Sequence, residues 1–427
     1  MGRLIYNIFM PLVFVFFLPH LISKYRSRGG WKSTFGERFG RFGKRREELE
    51  KFRGAVWIHA VSVGETIVAL SLIRIYSEKY PERKFILSTT TTTGQDVARK
   101  QAPDNTAVIF CPLDFTWMVR RALKLFAPSL LVIFETEIWP NLVAIAKQRG
   151  IPVALVNGRL SDRSASGYSK LKCFFAPLLE KFDIIMAQSE ADAKRFLSVS
   201  PAANVCNGGN MKFDQQLPVL PECNEVKRFL GVGDEDIQVI LAASTHPGEE
   251  KLFAECFKVL KAEFPALKLV IVPRHAERGE DVARILEGEE LSFVRKSLNV
   301  PPEEPVDVLL ADTTGEMVKL MKDADIVIVG KSFAGQDEGH NLIEPALLSK
   351  AIVTGTVLRN FRQLLALLSE NSAVLTASDS ELTDILRRLL SEPEWRKELG
   401  ERAAAIIGKN SGATAVAVEK LEALIRG

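Results

Sequence analysis

Paired cysteines, paired histidines and nucleotide-fold glycine fingerprints are all missing from this 427-residue sequence. Its five cysteines, Cys111, Cys173, Cys206, Cys223 and Cys256, form no CxxC and are odd in number. That argues against a disulfide scaffold or a thiolate metal site, and it fits a reducing compartment. Only five histidines occur, none with a second at ligand spacing. A metal site built on His246, His275 and His340 is therefore a weak reading, since they are spread along the chain. No GxGxxG follows a strand, which weighs against a nicotinamide or flavin enzyme, and no GxxxxGK[ST] occurs, which weighs against a P-loop. Repeats, coiled coils and low-complexity tracts are absent too, apart from the run Thr89–Thr93. What is present is ordinary globular usage, 47% apolar and 26% charged, in a length that predicts two or three domains.

The net charge of +3 averages unlike parts. Residues 4–22 contain no Asp, Glu, Lys or Arg and are rich in Phe, Leu, Ile and Val. The run predicts a hydrophobic anchor over 1–22, spanning or lying in the bilayer surface; Pro11 and Pro19 would kink a spanning helix, which keeps the monotopic arrangement open. The bulky, basic SKYRSRGGWK that follows offers no signal-peptidase site. Residues 23–53 hold eleven basic and four acidic residues, or +7. With Arg3, that leaves −5 on residues 54–427. A basic collar beside an apolar run predicts a cytoplasmic flank attracted to an anionic membrane surface. Trp31, Phe35, Phe39 and Phe42 are expected to wedge into that interface. Nucleic-acid binding is disfavoured, because the remainder is acidic.

From Ala55 onward, short apolar runs alternate with amphipathic ones. Expected strands in the first half lie at 55–60, 84–89, 107–111, 129–134, 152–156 and 182–188. Residues 208–222 carry Gly, Gln and Pro and read as a linker. The rhythm restarts at 238–244, 268–274, 306–312, 325–330, 351–355 and 373–377, and from about Asp379 only helices are expected. Unbroken Val/Ile/Leu strands separated by helices predict parallel sheets covered on both faces. The fold class is thus α/β, with two tandem Rossmann-like, doubly wound domains over 54–207 and 223–427. Such domains bind ligands beyond the carboxyl ends of their strands.

Polar clusters follow those strand ends. Ser62, Gly64 and Glu65 occupy the turn and first helical turn after the first strand; Glu65 is either a general base for an acceptor hydroxyl or an acid placed favourably at a helix start. Glu135 and Glu137 follow the strongest apolar strand, as a carboxylate pair near developing cationic charge or with Glu137 capping the next helix. Arg159 and Arg163 form a plausible cradle for an anionic acceptor. Lys212, in NMKFD, either reaches the ligand from the linker or is an ordinary exposed lysine. In the second half Ser244 and Thr245 precede a helix start, a natural phosphate seat. Arg274, at the next strand end, is a candidate phosphate or carboxylate clamp. Asn341 and Glu344 open a helix, where the carboxylate either holds ribose hydroxyls or closes a capping-type box.

Ordered strings across nearly the whole chain resemble the Kdo transferases, which add 3-deoxy-D-manno-octulosonic acid (Kdo) to a lipid A precursor. They are GERFGRF, WIHAVSVGET, TTTTTG, FETEIWPN, NGRLSDRSASGY, NMKFD, ASTHPGEE, VPRHAER, DTTGEM, GHNLIEPA and the Asn360–Phe361 pair. The resemblance implies a GT-B architecture and an inverting transfer from CMP-Kdo to lipid IVA, with no metal and no cofactor beyond the donor substrate. It implies Glu65 as the base and Glu135 and Lys212 as transition-state stabilisers. Pro273, Arg274, Gly315, Glu316, Met317, Asn341, Leu342, Ile343 and Glu344 would line the CMP site. It further implies work on the cytoplasmic face of the inner membrane. Gly158, Lys331 and Glu338 depart from the usual strings, which touches the geometry of the donor loop. Rival expectations are another membrane-associated GT-B transferase with a lipid acceptor, or an inactive scaffold for envelope synthesis.

Overall fold

The computed structural model describes residues 2–12, 36–215, 217, 220, 222–233, 235–300 and 302–426. The chain divides into two units, one formed by Met1–Gln215 with Asn410–Gly427, the other by Gln216–Lys409.

In the first unit seven parallel strands form one sheet: β1 (Val56–His59), β2 (Phe85–Thr89), β3 (Thr106–Phe110), β4 (Leu130–Phe134), β5 (Val153–Gly158), β6 (Ile184–Ala187) and β7 (Val205–Asn207). Their spatial order is β3-β2-β1-β4-β5-β6-β7. Alternate side chains feed two cores. Trp57, Leu131 and Ile133 enter one face with Phe126, while Val56, Ile58, Val132 and Phe134 enter the other with Ile73 and Tyr76. Strands covered on both faces need no polar side, which is why they read as unbroken apolar runs.

The second unit repeats the plan with β8 (Gln238–Thr245), β9 (Leu267–Pro273), β10 (Phe293–Arg295), β11 (Val308–Leu310), β12 (Ile326–Val329), β13 (Ala351–Gly355) and β14 (Leu375–Ala377). Its order is β10-β11-β9-β8-β12-β13-β14, again all parallel. Each sheet reverses its winding once, between β1 and β4 and between β8 and β12. At such a reversal the flanking loops run to opposite sides and leave a crevice at the strand ends. The sequence reading missed β7 and β10, three-residue outer strands too short to show a pattern.

The expected boundaries need two corrections. Residues 208–215 belong to the first unit rather than to a linker, and the last helix does not belong with 223–409. Helix Ala413–Arg426 presents Ala413, Ala417, Val418 and Leu421 at helical spacing to the core containing Val68, Ile73 and Tyr76. Asp214 receives the Thr414 N–H at 2.5 Å, Tyr76 Oη donates to Glu422 at 2.9 Å, and Arg83 pairs with Glu422 at 2.5 Å.

Residues 2–12 are helical and rest on the first unit: Arg3 Nε donates to Asn141 Oδ1 (2.8 Å), and Asn141 Nδ2 donates to Asn7 Oδ1 (2.7 Å). Leu4, Ile5, Ile8, Phe9 and Leu12 are left exposed. The rest of the expected anchor, 13–22, and the collar through residue 35, with Trp31 and Phe35, lie outside the described residues. Among the described residues no helix is long and apolar enough to cross a membrane. Phe42 is not an interfacial wedge: it is buried edge-on against Phe126 at 5.1 Å. Part of the collar's charge is also used internally. Arg45 pairs with Glu37 at 2.5 Å, and Arg53 donates to the carbonyls of Lys124 and Leu125.

Candidate active site

In the first unit the winding reversal places the ends of β1 and β4 side by side. After β1, Ser62 caps helix Val63–Lys79 in a reciprocal box: Ser62 Oγ accepts from Glu65 N, and Glu65 Oε1 accepts from Ser62 N. Ser62 Oγ also donates to Glu65 Oε1 at 2.7 Å, and Val61 N donates to Oε2 at 2.9 Å. The cap reading is therefore realised, and it does not exhaust the carboxylate. Three donors occupy a group with about four acceptor positions. Glu65 is buried and fixed in orientation, with acceptor capacity left on Oε2. Gly64 lies in the first helical turn, and a Cβ there would meet nothing within 4 Å, so the space above it is open.

After β4 the backbone turns at Glu135, with φ +53°, a left-handed conformation unfavourable for a residue with a Cβ. Its N–H bonds Val156 O at 3.0 Å, and its carboxylate accepts from Lys212 Nζ at 2.8 Å. Lys212 sits on the short helical turn Met211–Asp214, where Met211 N donates to Asn157 Oδ1. Asn157 is itself at φ +53°, in the register shift between β5 and β6. Two strained strand ends thus hold the Glu135–Lys212 pair, and Lys212 is neither a linker residue nor a free surface lysine. Glu137 does not cap the next helix: Trp139 is its N-cap, with no side-chain cap bond, and Pro140 follows. Burial, then the charges of Glu65 and Glu135, hold the Glu137 carboxyl above its ordinary range. Glu137 thus lies within electrostatic reach of both other carboxylates, whose charges repel its own. Arg159 follows β5 half-buried, its carbonyl accepting from Thr136; Arg163 is exposed on helix Asp162–Lys170.

In the second unit the reversal brings together the ends of β8 and β12. Ser244 sits at φ +56°, where the β8–β9 register shifts, and its Oγ donates to Met317 Sδ at 3.4 Å. Two of the expected donor-site residues are thereby joined. Thr245 is not a phosphate seat through its hydroxyl, because it is fully buried and donates to Glu250 at 2.9 Å. Glu250 also pairs with Arg278 at 2.5 Å. Glu249 accepts the N–H groups of His246, Lys331, Ser332 and Phe333. Both acids of THPGEE are thus internal pins. Gly330 is required beside them, since a Cβ would lie 2.7 Å from Ser244 O and 2.9 Å from Glu249 Oε2.

Pro273 ends β9 in the core, and the Arg274 side chain stands exposed. Gly315 turns at φ +85° before helix Met317–Lys322, and Glu316 accepts from Thr313 Oγ1 at 2.6 Å. Asn341 Oδ1 accepts from Ile343 N at 3.1 Å, while Leu342, not Asn341, is the N-cap of Ile343–Leu347. Leu342 and Ile343 are buried, and Glu344 lies half-buried in the first turn. The sequence reading missed the meeting of His246 and His340, whose Nε2 atoms lie 3.1 Å apart, with the His275 ring 6.3 Å from that of His246. Burial, then the charge of Arg274, pushes His340 down to about 4. Among the described residues no group of three His, Cys, Asp or Glu side chains is arranged to hold a metal ion. Lys331 and Glu338, two of the departures noted above, form an ion pair at 2.5 Å.

Residues 33–215 match the family model of 3-deoxy-D-manno-octulosonic-acid transferase (kdotransferase). A 3-deoxy-D-manno-octulosonic acid transferase of Haemophilus influenzae is 32% identical, over 94% of this chain and 92% of its own. One from Bordetella pertussis is 32% identical, over 99% of each. The chain belongs to the 3-deoxy-D-manno-octulosonic acid transferase family. It is accordingly a glycosyltransferase. Of the strings that carry the resemblance, WIHAVSVGET, FETEIWPN and ASTHPGEE close β1, β4 and β8 at the winding reversals, while others follow neighbouring strands such as β5 and β9. Two solved structures share the fold. A glycosyltransferase from Rickettsia africae superposes with TM-score 0.59 at 12% identity, covering 88% of this chain and 98% of its own. A UDP-GlcNAc 2-epimerase from Neisseria meningitidis gives 0.58 at 16% identity, covering 86% and 100%.

Proposed function

We propose that this Kdo transferase takes Kdo from CMP-Kdo and places it on a hydroxyl of lipid IVA or a related lipid A precursor, with inversion at the sugar carbon, in a GT-B architecture. The acceptor oxygen attacks the anomeric carbon, the bond from that carbon to the phosphate oxygen breaks, and CMP leaves. Glu65 takes the acceptor proton on its remaining acceptor position. The Glu135–Lys212 pair stabilises the charge that develops at the sugar carbon and its carboxylate. Arg274, the backbone at Ser244 and the turn Gly315–Met317 hold the CMP moiety, and side-chain cations rather than a metal ion balance its phosphate.

The observation that carries the reading is the capping box that fixes a buried Glu65 beside open space at the winding reversal. The test incubates the full chain with CMP-Kdo and lipid IVA and follows lipid mass, with and without EDTA. No gain of a Kdo mass would sink the reaction. Loss of transfer in EDTA, restored by a divalent cation, would sink the metal-free part.

We further propose that the protein works on the cytoplasmic face of the inner membrane, meeting its acceptor there through residues 1–22 and the basic collar. The exposed apolar side chains of the helix over 2–12 support this. Unchanged membrane fractionation after deletion of residues 1–22 would refute it.

A further inference from the structure

The loop from Gly330 to His340 is fixed at its base. The buried Glu249 carboxylate accepts the N–H groups of Lys331 (2.9 Å), Ser332 (2.9 Å) and Phe333 (3.0 Å). Gly339 N donates to Lys331 O at 2.7 Å and closes the loop. Lys331 is thereby held at φ +60°, a conformation costly for a residue with a Cβ. Its position is imposed by the loop rather than chosen by its own backbone preference.

The ammonium so placed lies among other cationic or cation-capable groups. The charge of Lys331 acts on both His246 and His340, and that of Arg274 acts on His340. The nearby carboxylates are spent elsewhere: Glu249 on backbone N–H groups, Glu250 on Arg278 and Thr245. Glu338 is different. It is half exposed, and it accepts from Lys331 at 2.5 Å and, more loosely, from Asn360 Nδ2 at 3.5 Å. An exposed ion pair of this kind is weak and readily exchanged.

We propose that Lys331 is an oxyanion-binding residue of the donor site and that Glu338 is its resident counter-ion, displaced when the donor's phosphate or sugar-acid carboxylate arrives. This rests on the reading of the second unit as the donor site. No covalent bond changes in the exchange. The N–H donors of Lys331 turn from one oxyanion to another, and the freed Glu338 carboxylate is taken up by water. Glu338 then acts as a built-in competitor, setting how tightly the donor is held.

The test uses the full chain, titrated with CMP and with cytidine, together with the KM for CMP-Kdo. Glu338→Gln should tighten CMP about two- to fivefold, the range of an exposed ion pair. Lys331→Gly, which suits the left-handed backbone, should weaken it about tenfold. The double variant should match Lys331→Gly, because Glu338 acts through Lys331. A response to CMP but not to cytidine identifies the phosphate as the displacing group. A response only in the KM for CMP-Kdo identifies the carboxylate. If Glu338→Gln moves neither quantity, or moves them equally without Lys331, the proposal is overturned. A wild-type chain that binds no CMP would instead overturn the donor-site reading on which it stands.

Discussion

The two units use one topology to opposite electrostatic ends. At its winding reversal the first gathers Glu65, Glu135 and Glu137, with Lys212 paired to one of them. The second gathers Arg274, Lys331, His246 and His340, and buries Glu249 and Glu250 in internal bonds. The difference teaches that the reversal supplies a place rather than a chemistry. Which charges face the crevice depends on which side chains the adjoining loops consume. Carboxylates left with spare lone pairs suit proton acceptance, and cations left without buried partners suit an oxyanion.

Replacement of Glu65 is the strongest way to break that contrast. Glu65→Gln retains a side chain that can complete the capping box and removes the basic oxygen. Transfer should fall by about 10²–10⁴-fold, the usual worth of a positioned base, with CMP affinity and melting temperature nearly unchanged. Initial rates and a CMP titration on one preparation check this. A wild-type rate would leave the first unit without its assigned proton acceptor. In the second unit Arg274→Ala should act on the other quantity, raising the KM for CMP-Kdo by about tenfold through loss of a charge-assisted contact, with a smaller change in kcat. If both variants altered the same parameter, the division of labour would fail.

Much of this was legible in the sequence, for reasons that differ by residue. Strands buried on both faces advertise themselves as apolar runs, so twelve of the fourteen were found; β7 and β10, at three residues each, were too short. Glu65 and Glu135 stand out in the sequence because they follow such strands. The His246–His340 meeting was hidden, because 94 residues separate two side chains that the fold brings within 3.1 Å. Thr245 misled because a hydroxyl before a helix start looks like a phosphate seat until a buried carboxylate five residues on is seen to take it. The return of helix Ala413–Arg426 to the first unit was hidden likewise, because its apolar stripe states that it packs but not on what.

Histidines offer a subtler contrast in stability. His59 is fully buried at the end of β1, its Nδ1 within 2.9 Å of Ser88 Oγ, and burial pushes it down to about 4. The unfolded chain binds that proton near pH 6.5, so between about pH 6.5 and 4 the unfolded state holds more protons and folding stability falls as pH falls. The full linkage is up to about 3 kcal/mol. Burial raises Asp114, in the same unit, to about 6, which acts in the opposite direction over nearly the same window. The difference between wild type and His59→Gln isolates the histidine: denaturant midpoints should converge from pH 7 towards pH 4.5. Parallel curves would mean that the ring is not neutral in the folded state.

Smallest in effect, and most specific to the division of the chain, is Tyr76→Phe. Tyr76 Oη donates to Glu422 at 2.9 Å, joining the helix after β1 to the last helix of the sequence. Glu422 keeps Arg83 and Arg426 as partners, so removal of the hydroxyl leaves no bare charge. The loss should be about 1.5–3 kcal/mol, that of one hydrogen bond to a charged acceptor. It should lower the stability of the first unit alone. Hydrogen exchange resolved by segment checks this: strands β1, β2 and β4 should exchange faster, while β8, β9 and β12 keep their rates. Faster exchange in the second set instead would mean that the last helix stabilises the unit that precedes it in sequence, and the boundary would have to move back.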